Sequence, residues 1–232
     1  MKRKFWNWIR DENEDIRTLY LNGEISDETW YGDEVTPELF RSELQAGSGD
    51  ITVWINSPGG DVFAAAQIYN MLMDYKGCVT VKVDALAASA ASVIAMAGTN
   101  AQMSPGAMMK IHNPMAIAIC GSEEMKKAGM MLDEVKESIM NAYEIKTRLN
   151  RSELSNLMNA ESWFNARKAV ELGFADEILT DTVRKDKNGV AAGMMFSRAA
   201  VTNSLLNKLV PKSDKKKTPV GQLEKRLQLI TH

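Results

Sequence analysis

Apolar and polar positions alternate along this chain with two periods, close to two and close to 3.6, and each change of period marks an element. Residues 16–21 (IRTLYL) alternate as a short strand closed by Asn22-Gly23. Residues 35–46 (VTPELFRSELQA) place Leu39, Phe40 and Leu44 on one helical face, with Thr36 as cap and Pro37 at the first position. Ile51, Val53 and Ile55 then alternate with Thr52, Trp54 and Asn56, so a strand runs into Ser57-Pro58-Gly59-Gly60 and a helix over 61–75. A second strand–turn–helix unit follows at 79–98. Val79, Thr80, Val81 and Val83 read as a buried strand, and 90–97 reads as a helix of small apolar residues. Residues 101–103 form a short parallel counterpart, and Ala107, Met108, Met109 and Ile111 form another apolar strand.

Further on, residues 115–120 (MAIAIC) are a short apolar run ended by Gly121-Ser122. Ser122 is expected to cap a long helix, about 122–150, in which Met125, Ala128, Leu132, Val135, Ile139, Ala142, Ile145 and Leu149 step by threes and fours. Glu124, Lys126, Lys127, Asp133, Lys136 and Glu137 take the other face. So long a helix can bury its apolar stripe against one core only in part, and the remainder suits a subunit contact or further packing within the chain. Helices over 152–159 and 166–172 follow, the second ended by Gly173, and 174–179 returns as strand or turn. These patterns divide the chain into an aromatic and charged arm (1–15), a folded domain (16–180) and a polar appendage (181–232), flexible in part.

Composition narrows the classes. A net charge of −2 over 232 residues argues against a dedicated nucleic-acid binder. Cys78 and Cys120 are too few for a disulfide framework or a cysteine zinc site and suit a reducing compartment, hence the cytoplasm. The opening MKRKFWNWIRDENED is too short an apolar stretch for a signal peptide, and no later run is long enough for a bilayer, so no membrane contact is expected. Neither a cofactor nor a metal ion is expected.

Candidate chemistry gathers at three places. Ser89 sits where a strand turns into a buried helix, whose N-terminal N–H groups can hold an oxyanion; the bland alternative is a plain helix cap. His112 follows an apolar strand and precedes Pro114, and apart from the last residue, His232, it is the sole histidine, so no other ring in the folded part is available as a base for Ser89. The Gly59-Gly60 turn brings bare backbone N–H groups close to whatever lies beside it, but it lacks the lysine–hydroxyl ending of a phosphate-binding loop.

Five segments in order, INSPGGDV at 55–62, ALAAS at 85–89, MAG at 96–98, KIHNP at 110–114 and AVELGFAD at 169–176, resemble the proteolytic subunit of the Clp peptidase. The resemblance implies an α/β fold, a spiral of repeated strand–turn–helix units shared with crotonase-like enzymes, carrying a projecting handle helix. It implies a serine endopeptidase in which Ser89, nine residues before Gly98, is the nucleophile and His112 the general base. Gly60 and Ala90 would supply the backbone oxyanion hole. Glu161 falls at the position of the family's third, aspartate member; a gap of one or two residues would select Asn159 instead, and Asp176 is a more distant rival. Homo-oligomeric rings, stacked through the long helix into a chamber for protein substrates, and an ATPase unfoldase partner are the family's usual arrangement.

Several positions depart from that pattern. Ala85 replaces a glycine, MAIAIC replaces a glycine-rich strand, the interval from Ser89 to His112 is slightly short, and the aromatic arm and long tail are additions. In these features the chain is similar to the Clp-related peptidases of tailed phages and prophages, which process capsid and scaffold proteins in the host cytoplasm. Two other classes compete: a crotonase-like acyl-CoA enzyme working through carboxylates, and a capsid-associated structural protein with a decayed site.

Overall fold

β-Branched and aliphatic residues at every second position build the centre of the molecule, because each then points its side chain to the same face of a pleated strand. In the computed structural model, which describes residues 5–10, 17–26 and 37–179, this gives a mixed α/β fold with eight strands and six helices among the described residues. Strands β1 (Trp6–Arg10), β2 (Arg17–Asn22), β3 (Ile51–Ser57), β4 (Val79–Ala88), β5 (Asn100–Met103) and β8 (Glu177–Ile178) lie side by side in that order. All neighbours from β2 to β8 are parallel, and each return crosses over through a helix, as parallel pairing requires. The crossovers carry α1 (Pro37–Gln45), α2 (Val62–Met73) and α3 (Ala90–Ala95).

The face covered by helices is apolar throughout. Leu19, Leu21, Ile51, Val53, Ile55, Val79, Val81 and Val83 are all buried there, against Ala64, Ala65, Ile68 and Leu72 of α2. On the opposite face Tyr20 stacks on Trp54 with centroids 6.5 Å apart, and Lys82 lies over the same indole. The aromatic arm is not separate from this sheet. β1 pairs antiparallel with β2, and the buried Trp6 gives its indole N–H to Glu43 of α1.

β4 is the strand that positions everything else. Its first half is bonded by β5, through Thr80 to Val83, and its second half leaves that neighbour and pairs with β6 (Met108–Lys110), through Leu86 to Ala88. A register shift against β3 between Ile55 and Ser57 marks the same divergence. β7 (Trp163–Asn165) then adds antiparallel to β6. Ser89 stands at the C-terminal end of β4, just beyond the residues that pair with β6.

The long helix α4 (Ser122–Thr147) buries only its last third, at Ile139, Met140, Ala142 and Tyr143. Met125, Met130 and Met131 remain exposed, and Ile145, expected on the inward stripe, is also exposed because the buried stripe runs through Met140 and Tyr143 instead. The cap differs from expectation too: Gly121 occupies the cap position and Ser122 is the first helical residue, with no side-chain cap bond. Residues 115–120 are not a strand within this protomer; Met115, Ile117 and Ile119 stand exposed. Helix α5 (Arg151–Asn159) is capped by Asn150, and α6 (Ala166–Glu171) by Asn165 and ended at Gly173, whose φ of 79° favours glycine. No described helix is long and apolar enough to cross a membrane. The Thr36 cap and the 181–232 appendage lie outside the described residues.

Candidate active site

The nucleophile candidate is set by backbone before it is set by chemistry. Ser89 links β4 to α3 with φ 56° and ψ −127°, a conformation that costs a residue with a Cβ about 1–3 kcal/mol. It is held there on both sides. Its N–H donates to the Lys110 carbonyl (2.9 Å), and its carbonyl accepts from the Ser92 N–H (2.9 Å) and the Ser92 hydroxyl (2.6 Å). The sharp strand-to-helix turn pushes the side chain out of the sheet, the same device as a nucleophile elbow. The hydroxyl makes no capping bond to α3; instead it lies 2.7 Å from His112 Nε2.

Ser92, one turn further on, is fully buried and does not reach the imidazole. Its hydroxyl pairs with the Tyr143 hydroxyl of α4 at 2.8 Å, and Tyr143 packs edge-on to Phe174. Burial pushes the Tyr143 phenol far above its ordinary value, so it acts as a neutral hydrogen-bond partner. Ser92 and Tyr143 therefore anchor the carbonyl of Ser89, a role that sequence reading missed because it joins residues 51 positions apart.

The Gly59-Gly60 turn abuts the same corner. A methyl group on Gly59 would lie 2.7 Å from Ser89 Cβ and 3.0 Å from Ala90 N. Gly60 forms a parallel bridge to Ile25, made by Ile25 N–H to Gly59 O and Asp61 N–H to Ile25 O, which leaves the Gly60 N–H out of the pairing. Ala90, as first residue of α3, likewise has an N–H with no intrahelical partner. Two glycines in succession are required here because side chains at either would collide with backbone.

His112 follows β6 in a chain kept extended by Ile111 N–H to Ser162 O. Burial pushes its pKa below the ordinary value and the Lys110 charge adds to that, while Glu161 and a backbone hydrogen bond at Asn113 pull upward. Glu161 is brought to this corner but does not hydrogen-bond the ring. Its carboxylate takes the Lys110 ammonium at 2.6 Å, and Lys110 lowers its pKa from the ordinary carboxylate value. The two rivals go elsewhere. Asn159 accepts from Asn113 and Lys136, and Asp176 binds Lys146 and the Ala101 N–H. Among the described residues no three His, Cys, Asp or Glu side chains converge as a metal site.

A serine hydroxyl on an imidazole, beside a glycine turn and a helix start with unpaired N–H groups, is an arrangement suited to acyl-transfer chemistry. Comparison with known proteins agrees in kind. The family model described as Clp protease matches residues 3–182. The ATP-dependent Clp protease proteolytic subunit 2 of Thermobifida fusca is 27% identical over 168 residues, spanning 72% of this chain and 82% of its own. The ATP-dependent Clp protease proteolytic subunit of Leuconostoc citreum is 28% identical over 173 residues, spanning 73% and 86%. Among solved structures a ClpP1 point mutant from Listeria monocytogenes superposes with a TM-score of 0.60 at 24% identity, over 70% of this chain and 90% of that one, and so shares the fold. The family match runs through every strand that frames Ser89 and His112, and this chain belongs to the Clp protease family of serine peptidases.

Proposed function

We propose that the chain is a serine endopeptidase in which Ser89 is the nucleophile and His112 the general base. The observation that carries this reading is the 2.7 Å contact between Ser89 Oγ and His112 Nε2 at a strained strand-to-helix turn. His112 takes the hydroxyl proton as Ser89 Oγ attacks a peptide carbonyl, and returns it to the leaving amine. The Gly60 and Ala90 N–H groups hold the oxyanion, each contributing about 3 kcal/mol to the transition state. Water then releases the acyl group from Ser89. Glu161 completes the set through its charge, which favours the imidazolium that forms on proton transfer.

A fluorophosphonate tests this directly, with the modified peptide mapped by mass spectrometry. Label is expected on Ser89, at a rate set by the neutral imidazole. Because the His112 pKa is lowered, the ring stays neutral to more acid pH, so labelling should persist below the ordinary histidine value of about 6.5 and fall only beneath it. Label on Ser92, or an acid limb above 6.5, contradicts the assignment.

The exposed apolar residues of α4 and of 115–119 support assembly into an oligomer, with the ring and enclosed chamber of the family as the form proposed. For substrate, the reading is a capsid or scaffold protein of a phage or prophage, supported by Ala85, the MAIAIC segment, the aromatic arm and the long tail. Co-expression with a phage scaffold protein should yield a cleaved scaffold, and an uncleaved one with Ser89→Ala. The relatives named ATP-dependent favour a second reading, degradation together with an unfoldase. ATP-stimulated loss of a folded substrate, in place of limited cleavage, would select it.

A further inference from the structure

Lys110 is the charged group that the family resemblance leaves without a task. It lies two residues before His112, and extended chain turns every second side chain to one face. Met109 and Ile111 are accordingly buried on the core side, while Lys110 and His112 share the site side. The Lys110 side chain is only 21% exposed and its ammonium meets Glu161 Oε2 at 2.6 Å; the same ammonium lies 5.5 Å from the ring centre of Trp163. Glu161 is presented from the turn between α5 and β7 with φ 48°, and the next residue, Ser162, accepts from Ile111 N–H. Strand and turn therefore fix ammonium, carboxylate and imidazole at one corner.

A pair whose carboxylate is 61% exposed adds little to the stability of a fold. What it does control is the field at the neighbouring ring. Among the described residues Lys136 of α4 also reaches this corner, where it is engaged with Asn159, which also takes the Asn113 amide. From β4 and α3 the group that meets the ring is the Ser89 hydroxyl.

We propose that Lys110 is a positioning residue for the Ser89–His112 pair: its ammonium fixes the Glu161 carboxylate beside the imidazole and offsets that carboxylate's pull on the ring. His112 is thereby kept an uncharged base, and Glu161 is kept from binding the proton tightly in place. The opposing effects of Lys110 and Glu161 on the ring agree with this arrangement. The inference rests on the peptidase reading for what the ring does, but not for how it titrates.

The chain has two histidines, so His232→Gln leaves a single imidazole. The test is the titration of that ring by NMR in full-length protein labelled at the histidine ring carbons. Lys110→Gln is expected to raise the midpoint by about half a pH unit or more, and Glu161→Gln to lower it by a similar amount. The double variant should return near the parent, and Lys110→Arg should keep the parent midpoint. Fluorophosphonate labelling of Ser89 over the same range should show an acid limb that moves with the ring. An unmoved midpoint in Lys110→Gln, shifts of the same sign in both single variants, or an arginine variant that behaves like glutamine would overturn the proposal. If the ring moves as stated and Ser89 takes no label in the parent, the positioning role stands and the peptidase reading fails. Label on Ser89 with an unmoved ring gives the reverse.

Discussion

Ser89→Ala is expected to lower peptide turnover by roughly 10^4- to 10^6-fold, the loss seen when the nucleophile of a serine peptidase is removed. The structure says why this loss should be chemical and not structural. The Ser89 hydroxyl caps nothing in α3, and its hydrogen bond is to His112. The strained backbone is held by main-chain bonds to Lys110 and Ser92, and these survive the substitution. Alanine carries the same Cβ and meets the same penalty at φ 56°, so stability should change by only about 1 kcal/mol, the worth of one hydrogen bond. Turnover of a fluorogenic peptide, with melting temperature and oligomer size as companions, checks both halves. Undiminished turnover by Ser89→Ala would end the nucleophile assignment.

Gly60→Ala should fail in both respects. A Cβ at Gly60 would lie 1.9 Å from the Ile25 carbonyl oxygen, and a φ of 149° is a conformation that residues with side chains rarely adopt. The neighbour is backbone, held by two hydrogen bonds at 2.9 and 2.8 Å, so it cannot swing aside like the end of a long side chain. The bridge must open, at a cost of about 2–4 kcal/mol, and the turn that carries the Gly60 N–H must move from Ser89. Loss of one oxyanion donor alone lowers turnover by about 10^2- to 10^3-fold. Gly106→Ala is the control, because a Cβ there meets nothing within 4 Å. Denaturant melts and peptide turnover of the two variants should separate clearly; a Gly60 variant indistinguishable from the Gly106 one would show that the turn is not held as described.

These two residues also show how much could be read without coordinates. The strands were legible because β-branched alternation is a local signal, and β2 and β3 fall where the alternation put them. Ser89 was legible as a junction residue because a strand pattern ends and a small-residue helix begins on either side of it. His112 was legible by scarcity and by its place after an apolar strand. The resemblance to the Clp proteolytic subunit added an order to these pieces, and the family comparison agrees with it.

What escaped was of longer range. The second half of β4 (DALAA) has weak strand propensity, and it stays extended because β6, some twenty residues on, bonds to it. The aromatic residues of the arm suit docking on the parent fold or a neighbouring subunit, but that the arm docks as a strand on β2 is visible only in the structure. Residues 115–120 have the composition of a strand but find no partner within the protomer. Gly121 displaces Ser122 from the cap of α4 by one residue, a choice between near-equivalent starts that local rules do not resolve.

The amino-acid sequence alone determined the period of each element, the glycines at the turn, and the identity of the serine and histidine, since each of these depends on residues a few positions apart. Tertiary structure alone decided that Ser89 and His112 meet at 2.7 Å, that Ser92 is tied to Tyr143, and that the Glu161 carboxylate is claimed by Lys110 and not by the imidazole. These contacts join residues 23 and 51 positions apart. The contacts of His112 and Lys110 exist because β4 parts from β5 and takes β6 as its neighbour, and that of Ser92 because α4 returns over α3; no local pattern of hydrophobic and polar residues encodes either.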